Sequence, residues 1–486
     1  MSVGYATLPG VTDPLARLRG AVAGPAFSAA DVARVTGGRL LRSSDRPIRG
    51  GAVDSRQVEP GQAFVALPGE RTDGHAFLER AASAGAGALI VSRPLDAAGI
   101  EALGDVTIVL VRDGLLALGA LAAAWRRRFA PLVVGITGSI AKTSTKEAVA
   151  TVLGRRFTTL RSEGNRNNEI GLPLTLLRLG PEHEAAVLEM GMYIGGEIAD
   201  LAAMAAPRIG VVTAVQPVHL SRIGTLDAIE RAKAELVEAL PTDGAAILNA
   251  DDPRVARMAA VTAARALTYG FDPGADVGAE AVVSAGAAGM RFTLRIGGIR
   301  RPVTTPVLGR HGVHNGLAAA AVGSAAGCTL DEIAAGLAAG WAAPHRDRLV
   351  RAGDVTILDD SYNASPGSVL AALDLLATLP ASRRIAVLGE MLELGGAHDS
   401  GHREVGRAAA PLVALLVVVG TGAGALAEGA IEGGLAADRI LRAGDADAAL
   451  DLLRPRLRVG DTVLVKGSRG IALDGLVDRL VAEPGG

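Results

Sequence analysis

The feature that most constrains the fold is the stretch VVGITGSIAKTSTKE, residues 133–147. Its apolar run ends at Thr137, the glycines at positions 135 and 138 permit a tight turn, and a lysine followed by three hydroxyl residues opens a helical pattern. Backbone N–H groups and the dipole at the start of a helix favour phosphate. The stretch therefore predicts a strand, a phosphate-binding loop and a helix.

The loop departs from the strict phosphate-loop pattern G-x-x-x-x-G-K-[ST], because only Lys142 and Thr143 fit it. We expect Lys142 to reach the terminal phosphates of a nucleotide and Thr143 to bind Mg²⁺. Taken alone, a capped turn with a solvated lysine remains an alternative. The nucleotide-binding candidates in this segment are Gly138, Ser139, Ala141, Lys142, Thr143 and Ser144.

Ala141 stands where the strict pattern has its second glycine. A residue at this point often has a positive φ, which costs alanine roughly 1 kcal/mol more than glycine. Because alanine adds only one methyl group, we expect a slightly shifted loop and weaker nucleotide affinity, with binding retained.

The chain has 486 residues, and at roughly 100 to 200 residues per domain its length predicts about three domains. Apolar strand patterns alternate with helical ones, which is typical of α/β folds. We expect a small α/β domain over residues 1–112, and a central P-loop-type domain over 113–344 with a mostly parallel sheet and helices on both faces. Residues 345–486 predict a C-terminal Rossmann-like α/β domain. A helix over Leu115 to Phe129 is expected to lead into the central domain.

The composition excludes several classes of partner. Lys plus Arg total 49 against 51 for Asp plus Glu, so the net charge of −2 gives no electrostatic footprint for nucleic acid. Aromatic residues make up 3%, which leaves few surfaces on which bases could stack. No apolar run approaches the roughly 20 residues of a membrane span. These features predict a small, partly charged substrate, with no nucleic acid and no membrane insertion.

The cysteine content indicates the compartment. Cys328 is the one cysteine of the sequence, and no signal peptide is recognised, so we expect a reducing cytoplasm. Cys328 lies in an alanine-rich helical pattern, which favours a small buried hydrophobic residue over a nucleophile.

Three further residues are candidates for chemistry. Glu189 ends the apolar run VLEMG, and the carboxyl end of a strand is where an α/β sheet holds a metal or a reacting group, although a solvated carboxylate fits equally well. His219 precedes Lys233 by fourteen residues. The helical pattern around Lys233 places it at the edge of the buried stripe, so spacing alone favours a surface lysine, and a lone histidine is more often structural.

The order of the motifs along the chain indicates a protein family, which no single motif does. Along the chain run KTS, GNRNNEIGLPLTLL, LEMG, VHL, RAKAEL, LNADDP, LGRHGVHN, APHRDR, LDDSYNASP, LGEMLELG and VLVKGSRG. This series resembles the Mur ligase family. The first block also resembles that family's UDP-sugar-binding domain through VDSRQVEPGQAFVALPGERTDGHAF, so the likeness covers nearly the whole chain.

The resemblance implies an ATP-driven amide ligase of peptidoglycan precursor synthesis. DDSYNASP, GEMLELG and KGSRG are most similar to the members that join UDP-MurNAc-tripeptide to D-alanyl-D-alanine. The γ-phosphate of ATP is then expected to pass to the tripeptide carboxylate, and the amine of the dipeptide to attack the acyl phosphate. The family also implies a monomer with small-molecule substrates.

Matched to the family motifs, Lys142 and Arg346 are expected at the transferring phosphate, and Glu189 and His219 join Thr143 as metal positions. Lys233 matches a lysine that is carbamylated by CO₂, which makes it anionic. Lys142, Lys233, His219 and Arg346 are the catalytic candidates. The implied nucleotide contacts are Asn315, Arg346, Asp360 and Tyr362, and the implied substrate contacts are Ser55 and Arg56 for uridine diphosphate, Asn167 and Asn168 for the reacting end, and Lys466, Ser468 and Arg469 for the dipeptide.

Several positions depart from the family pattern, namely Ile140-Ala141 in the loop, Met192 to Ile194 after the acidic strand end, Ser221, and Gly312 where Asn is frequent. The Met192 to Ile194 change removes polar groups on the substrate side. Two alternatives therefore stay open: a paralogous amide ligase acting on a different acid and amine, and a non-catalytic nucleotide or muropeptide binder. The third residue of the tripeptide, lysine or diaminopimelate, is not fixed by the sequence.

Overall fold

The computed structural model describes residues 26–69, 72–217 and 223–482. Two positions singled out from the sequence, His219 and Ser221, lie outside the described residues. Within the described ranges, no helix has both the length and the apolar character needed to cross a membrane.

The first domain is a small α/β unit built on one sheet. Its strands are β1 (Arg39–Arg42), β2 (Gly51–Ala52), β3 (Ala63–Val65), β4 (Ala88–Val91) and β5 (Thr107–Leu110), and its helices are α1 (Ala29–Thr36), α2 (Leu78–Ser83) and α3 (Ala97–Ala102). The strand order is β1-β5-β4-β3-β2, and every pair is parallel except β1 with β5.

The central domain has a nine-stranded sheet in the described part of the chain. Its strands are β6 (Leu132–Thr137), β7 (Thr159–Arg161), β8 (Ala185–Glu189), β9 (Ile209–Val212), β10 (Ala245–Asn249), β11 (Arg265–Gly270), β12 (Val277–Ser284), β13 (Met290–Ile296) and β14 (Ile299–Thr305). The helices are α4 (Gly114–Arg126), α5 (Lys142–Leu153), α6 (Gly171–Leu176), α7 (Glu197–Ala205), α8 (Leu226–Glu238), α9 (Pro253–Ala256), α10 (Gly309–Ala325) and α11 (Leu330–Ala339). The order is β14-β13-β12-β11-β10-β9-β6-β8-β7, parallel from β7 to β12.

The third domain is a second mostly parallel sheet. Its strands are β15 (Arg348–Ala352), β16 (Val355–Asp359), β17 (Arg383–Gly389), β18 (Leu415–Val419), β19 (Ile440–Ala443) and β20 (Asp461–Lys466). Its helices are α12 (Pro366–Thr378), α13 (His398–Ala409), α14 (Gly424–Glu432), α15 (Ala446–Leu453) and α16 (Leu473–Ala482). The order is β15-β16-β20-β17-β18-β19, with β15 antiparallel. Short 3₁₀ turns occupy Gly74–Phe77, Arg257–Ala260, Gly286–Ala288, Gly395–Ala397, Ala437–Arg439, Arg454–Arg456 and Arg469–Ile471.

Strand β6 determines where a site can form, because it lies between β8 and β9. In register, Ile136 is opposite Glu189 on one side and Thr137 is opposite Val212 on the other. The carboxyl ends of parallel strands meet at one edge of the sheet, and a reversal of strand order opens a crevice there. The loop after Thr137 and the carboxylate of Glu189 therefore emerge side by side.

The three-domain α/β architecture expected from the sequence is confirmed, with two local corrections. The connecting helix α4 spans Gly114–Arg126, whereas Leu115 to Phe129 was expected. It begins at Gly114 because the Asp113 side chain accepts hydrogen bonds from N–H groups of the first turn. Cys328 is buried as expected, but it lies between α10 and α11 and not within a helix. Gly327, at φ 79°, ends the helical path before it.

Helix α4 joins the first domain to the central one through a shared core. Trp125 is 5% exposed, its ring centroid lies 5.3 Å from that of Phe27 and 5.4 Å from that of Phe129, and its Nε1 donates to the Leu179 carbonyl at 3.0 Å. Phe27 belongs to the first domain, whereas Leu179 belongs to the central one. The indole thus contributes to the packing of both domains.

Replacing Trp125 by Ala is expected to lower the free energy of unfolding by about 3–5 kcal/mol, because it removes a large buried ring and leaves a carbonyl without its donor. Urea denaturation followed by circular dichroism measures the effect. Leu116→Ala on the same helix is the control, since Leu116 is 74% exposed. Equal urea midpoints for the two variants would contradict the shared-core interpretation.

Candidate active site

The turn after β6 is closed by hydrogen bonds to the segment that follows β9. Ser139 Oγ donates to the Gln216 carbonyl at 3.0 Å, and Thr213 Oγ1 donates to the Ile140 carbonyl at 2.6 Å. A Cβ at Gly138, whose φ is 149°, would lie 1.8 Å from Thr213 Oγ1. Glycine is therefore required at position 138. The segment that follows β9 holds the loop in place without a ligand.

Ala141 has φ 65° and ψ 0°, which is the left-handed region expected from the sequence. It directly precedes α5, which begins at Lys142, and makes no side-chain cap. Alanine is strained in this region, whereas glycine is not. Ala141 thus has the positive φ that is expected at this point of a phosphate loop, and its methyl group makes that conformation strained.

Lys142 folds back over this loop. Its Nζ donates to the Gly138 carbonyl at 2.7 Å and lies 3.4 Å from the Ser139 carbonyl. Loss of solvent lowers the pKa of the Lys142 ammonium, the charge of Glu189 opposes the shift, and Arg346 adds to it. The lysine therefore lies within electrostatic range of groups from two different domains. Thr143 is buried behind it at the start of α5.

Glu189 ends β8 with its side chain buried, at 2% exposure. One carboxylate oxygen, Oε1, accepts a hydrogen bond from Asn167 Nδ2 at 2.7 Å. The other, Oε2, is buried and has no hydrogen-bond partner among the described residues. A buried carboxylate oxygen without a donor is costly unless a cation or a proton satisfies it. The arrangement fits a metal ligand.

Lys233 is buried, at 3% exposure, which corrects the surface position favoured by its spacing. Its helix α8 approaches the sheet closely, because Gly135 and Gly210 leave room for Leu236. Burial lowers the pKa of Lys233 well below its ordinary value, and the charge of Lys142 lowers it further. No hydrogen bond or ion pair of its Nζ is found with the rest of the described chain. A neutral amine is therefore favoured at this position.

The two asparagines expected at the reacting end differ in what they contact. Asn167 orients Glu189, and its carbonyl accepts the Gly191 N–H at 2.8 Å. Asn168 Oδ1 instead accepts the Gly171 N–H at 2.9 Å, at the start of α6. Asn168 thus shapes the backbone next to the site through its side-chain oxygen.

A cavity of about 420 Å³ lies between the central and C-terminal domains. Asn315 and Ser144 line it from the central domain, Arg346 and Asp347 line it from the other side, and Gly312 opens one wall. Asn315 is 5% exposed, and its Oδ1 accepts a hydrogen bond from Thr145 Oγ1 at 3.3 Å. The cavity therefore extends from the start of α5 to the C-terminal domain, as a bound nucleotide would.

The C-terminal candidates form one charged cluster. Arg346 Cζ lies 4.5 Å and Arg469 Cζ 5.2 Å from the centroid of the Tyr362 ring. Lys466 Nζ donates to Asp360 Oδ2 at 2.5 Å. Burial raises the pKa of Asp360 to about 6, although Lys466 acts in the opposite direction. Asp360 therefore carries a proton more readily than an ordinary aspartate.

The remaining candidates have mainly local partners. Ser468 Oγ accepts the Leu392 N–H at 2.9 Å, so it stabilises the loop around it. Ser55 is buried and Arg56 is exposed in the first domain, where Arg56 pairs with Asp54 at 2.7 Å. No contact between these two residues and the phosphate loop is found in the described parts of the chain.

Sequence reasoning missed Thr213 and Gln216, which hold the loop in place. Both follow β9, and the rule that ligands bind at the carboxyl ends of strands could have identified them. His219, expected as a metal ligand, follows Gln216 by three residues but lies outside the described residues.

The chain matches three models of one protein family. These are "Mur ligase family, catalytic domain" at residues 47–126, "Mur ligase middle domain" at 136–323 and "Mur ligase, glutamate ligase domain" at 345–469. Each of the three matched segments contains most of one of the sheets described above.

Individual proteins are similar over almost the whole chain. The UDP-N-acetylmuramoyl-tripeptide–D-alanyl-D-alanine ligase of Mycobacterium bovis is 41% identical, over 94% of this chain and 98% of that protein. The crystal structure of MurF from Acinetobacter baumannii superposes with a TM-score of 0.83 at 31% identity, covering 94% of this chain and 99% of that one. MurF ligase from Thermotoga maritima, solved in complex with ADP, gives a TM-score of 0.78 at 28% identity, covering 90% and 97%.

Replacing Ala141 by Gly is expected to tighten nucleotide binding by up to about fivefold, because relief of roughly 1 kcal/mol of strain makes the phosphate-binding conformation easier to hold. Isothermal titration calorimetry with ADP measures the change. Ala206→Gly is the matched control, since Ala206 is also left-handed, at φ 47°, but ends α7. A tighter complex in both variants, or in neither, would contradict a local effect of Ala141.

Proposed function

Because this chain belongs to the Mur ligase family, we infer that it is an ATP-dependent ligase that adds D-alanyl-D-alanine to UDP-N-acetylmuramoyl-tripeptide in peptidoglycan synthesis. The relative that carries this name aligns with 94% of the chain, so its activity is carried over for the whole protein and not for one domain.

The observation that carries the chemistry is the convergence of Lys142, Glu189 and Arg346. Lys142 begins α5 directly after the loop, Glu189 ends the neighbouring strand β8, and Arg346 lines the cavity from the C-terminal domain. The charges of Glu189 and Arg346 both act on Lys142. Transfer of a phosphoryl group between two anions needs positive charge around the transferring group and accurate positioning. Two cations beside a buried carboxylate provide this environment.

We propose that the reaction proceeds in two steps. A carboxylate oxygen of the tripeptide attacks the γ-phosphorus of ATP, which forms an acyl phosphate and releases ADP. The neutral amine of D-alanyl-D-alanine then attacks the acyl carbon, the amide bond forms, phosphate leaves, and the amine loses one proton. Lys142 and Arg346 neutralise charge on the transferring phosphoryl group, and closure of the C-terminal domain completes the site.

The proposed nucleotide site is the cavity between the domains. The loop N–H groups and Lys142 face the phosphates, Asn315 contacts adenine, and Tyr362 lies beside it on the C-terminal side. Asp360, which is buried and accepts a hydrogen bond from Lys466 Nζ, contacts the ribose.

Mg²⁺ fits the residues present. Thr143 and Glu189 would hold it together with His219, and the buried Oε2 of Glu189 without a donor supports the assignment. A bound Mg²⁺ supplies positive charge that polarises the phosphoryl oxygens. The chain itself orients that carboxylate through Asn167.

We propose that Lys233 carries a carbamate. Its buried, neutral amine is the form that reacts with CO₂: the nitrogen forms a bond to carbon, one proton is released, and the product is an anion. A charged lysine this close to Lys142 would be repelled, whereas the anion would be attracted to Lys142 and to the metal.

The other proposals concern the substrates and the state of the protein. Ser55 and Arg56 contact uridine diphosphate, Asn167 the reacting end, and the dipeptide lies near Lys466 and Arg469. Tyr193 and Ile194 are exposed just beyond Gly191, so the muropeptide meets an apolar rim there. The enzyme acts in the cytoplasm as a monomer.

Phosphate release and product mass test the function. With ATP, Mg²⁺, D-alanyl-D-alanine and UDP-N-acetylmuramoyl-tripeptide carrying either lysine or diaminopimelate, we expect turnover that requires every component. Lys142→Ala is expected to lower kcat by about 10²- to 10³-fold, because it removes charge from the transferring group. Turnover with other acids or amines alone would favour a paralogous ligase, and nucleotide binding without any turnover would favour a non-catalytic binder.

The carbamate has a direct readout. After incubation with ¹³C-labelled bicarbonate, the wild-type enzyme is expected to show a carbamate carbon signal in its NMR spectrum, and Lys233→Ala is expected to lose both this signal and turnover. Arg231→Ala is the control, since Arg231 is exposed on the same helix. Full activity of Lys233→Ala would disprove the proposal.

A further inference from the structure

The backbone on both sides of Arg346 is strained. His345 has φ 54° and Asp347 has φ 49°, although neither residue is a glycine. Such conformations persist only where surrounding contacts hold them, and they concentrate at functional sites. The segment that presents the arginine thus depends on contacts made by its two neighbours.

Both neighbours make histidine–aspartate contacts. His345 Nδ1 lies 3.0 Å from Asp359 Oδ2, and both residues belong to the C-terminal domain. Asp347 Oδ2 lies 3.0 Å from His311 Nε2, and His311 lies on α10 of the central domain. The second pair therefore joins the two domains between which the cavity lies.

We propose that the His311–Asp347 pair is the interdomain latch that positions Arg346 over the phosphate loop when the C-terminal domain is closed. The inference rests on the proposed function, because it is the ligase reaction that uses Arg346. Asp347 lines the cavity beside Arg346, and we assign the pair a positioning role, since it acts on the reaction through Arg346.

The imidazole is fixed in place by its own helix. A Cβ at Gly309, whose φ is 72°, would lie 2.6 Å from the His311 ring, so glycine leaves the space that the ring occupies. His311 precedes the cavity residue Asn315 by four positions, and residues at this spacing lie on the same face of a helix. One helix face therefore contacts both the nucleotide site and the latch.

The charges around the pair favour its ionised form. Burial acts against the charge of His311, but Asp347, with a further contribution from Asp360, raises the pKa of the imidazole above its ordinary value. Lys466 opposes this effect. Burial likewise opposes ionisation of Asp347, yet His311, Lys466 and Arg346 lower its pKa. Each residue thus favours the charged form of the other, and the 3.0 Å contact acts through charge, since Nε2 of His311 has no hydrogen bond of good geometry in the described chain.

The test uses the full chain and two isosteric variants, His311→Gln and Asp347→Asn. Each is expected to lower kcat for amide formation about five- to tenfold, within the range of coupling free energies between sites, with the KM for ATP nearly unchanged. The double variant is expected to be no slower than either single variant, because the pair acts as one unit. Asp347→Glu, which keeps the charge, is expected to recover most of kcat.

Small-angle X-ray scattering with ADP gives a readout that does not depend on turnover. The two variants are expected to have a larger radius of gyration than the wild type, since a weaker latch leaves the C-terminal domain open more often. The control is Asp243→Asn, which removes a 2.8 Å ion pair with Arg208 inside the central domain. It is expected to leave both kcat and the radius of gyration unchanged.

Wild-type kcat and wild-type scattering in both variants would overturn the latch and leave the function standing. An additive loss in the double variant would also overturn it, because the two residues would then act separately. If the wild-type protein did not turn over, the function would fail, while the scattering comparison would still decide whether the pair holds the domains together.

Discussion

The active edge of this protein depends on one pairing, that of β6 between β8 and β9. Because the strands are parallel and in register, the phosphate loop, the carboxylate of Glu189 and the hydroxyl of Thr213 leave the sheet together. A shift of one residue in β8 would turn the Glu189 side chain to the opposite face. The buried strands thus give the candidate catalytic groups their positions.

The site also brings together charged side chains that other groups of the described chain do not fully neutralise. The charge of Arg346 lowers the pKa of Lys142, the charge of Lys142 lowers the pKa of Lys233, and one oxygen of Glu189 has no donor in the described residues. Such an arrangement is costly by itself, and groups of complementary charge would make it favourable. The proposed binding of ATP phosphates at this place would relieve part of the repulsion between the cations.

Local patterns and motif order were enough to predict the α/β architecture, the strand, turn and helix over residues 133–147, and the left-handed Ala141. They were insufficient to predict that Lys233 is buried. Its burial depends on Gly135 and Gly210, which lie on two other elements, the strands β6 and β9, and let α8 approach the sheet. The His311–Asp347 pair could not be predicted either, because it forms only where two domains are in contact. Sequence periodicity shows which residues are neighbours within one helix or strand. It does not show contacts between different helices, strands or domains, and these contacts are of that kind.

The shared core around Trp125 has a consequence for how the domains can move relative to one another. Since α4 packs the first domain onto the central one, these two domains form a single platform, and the segment around Arg346 is left as the joint. Any movement of the C-terminal domain then displaces the cavity wall that carries Arg346 and Asp347, whereas the wall that carries Ser144 and Asn315 stays with the platform.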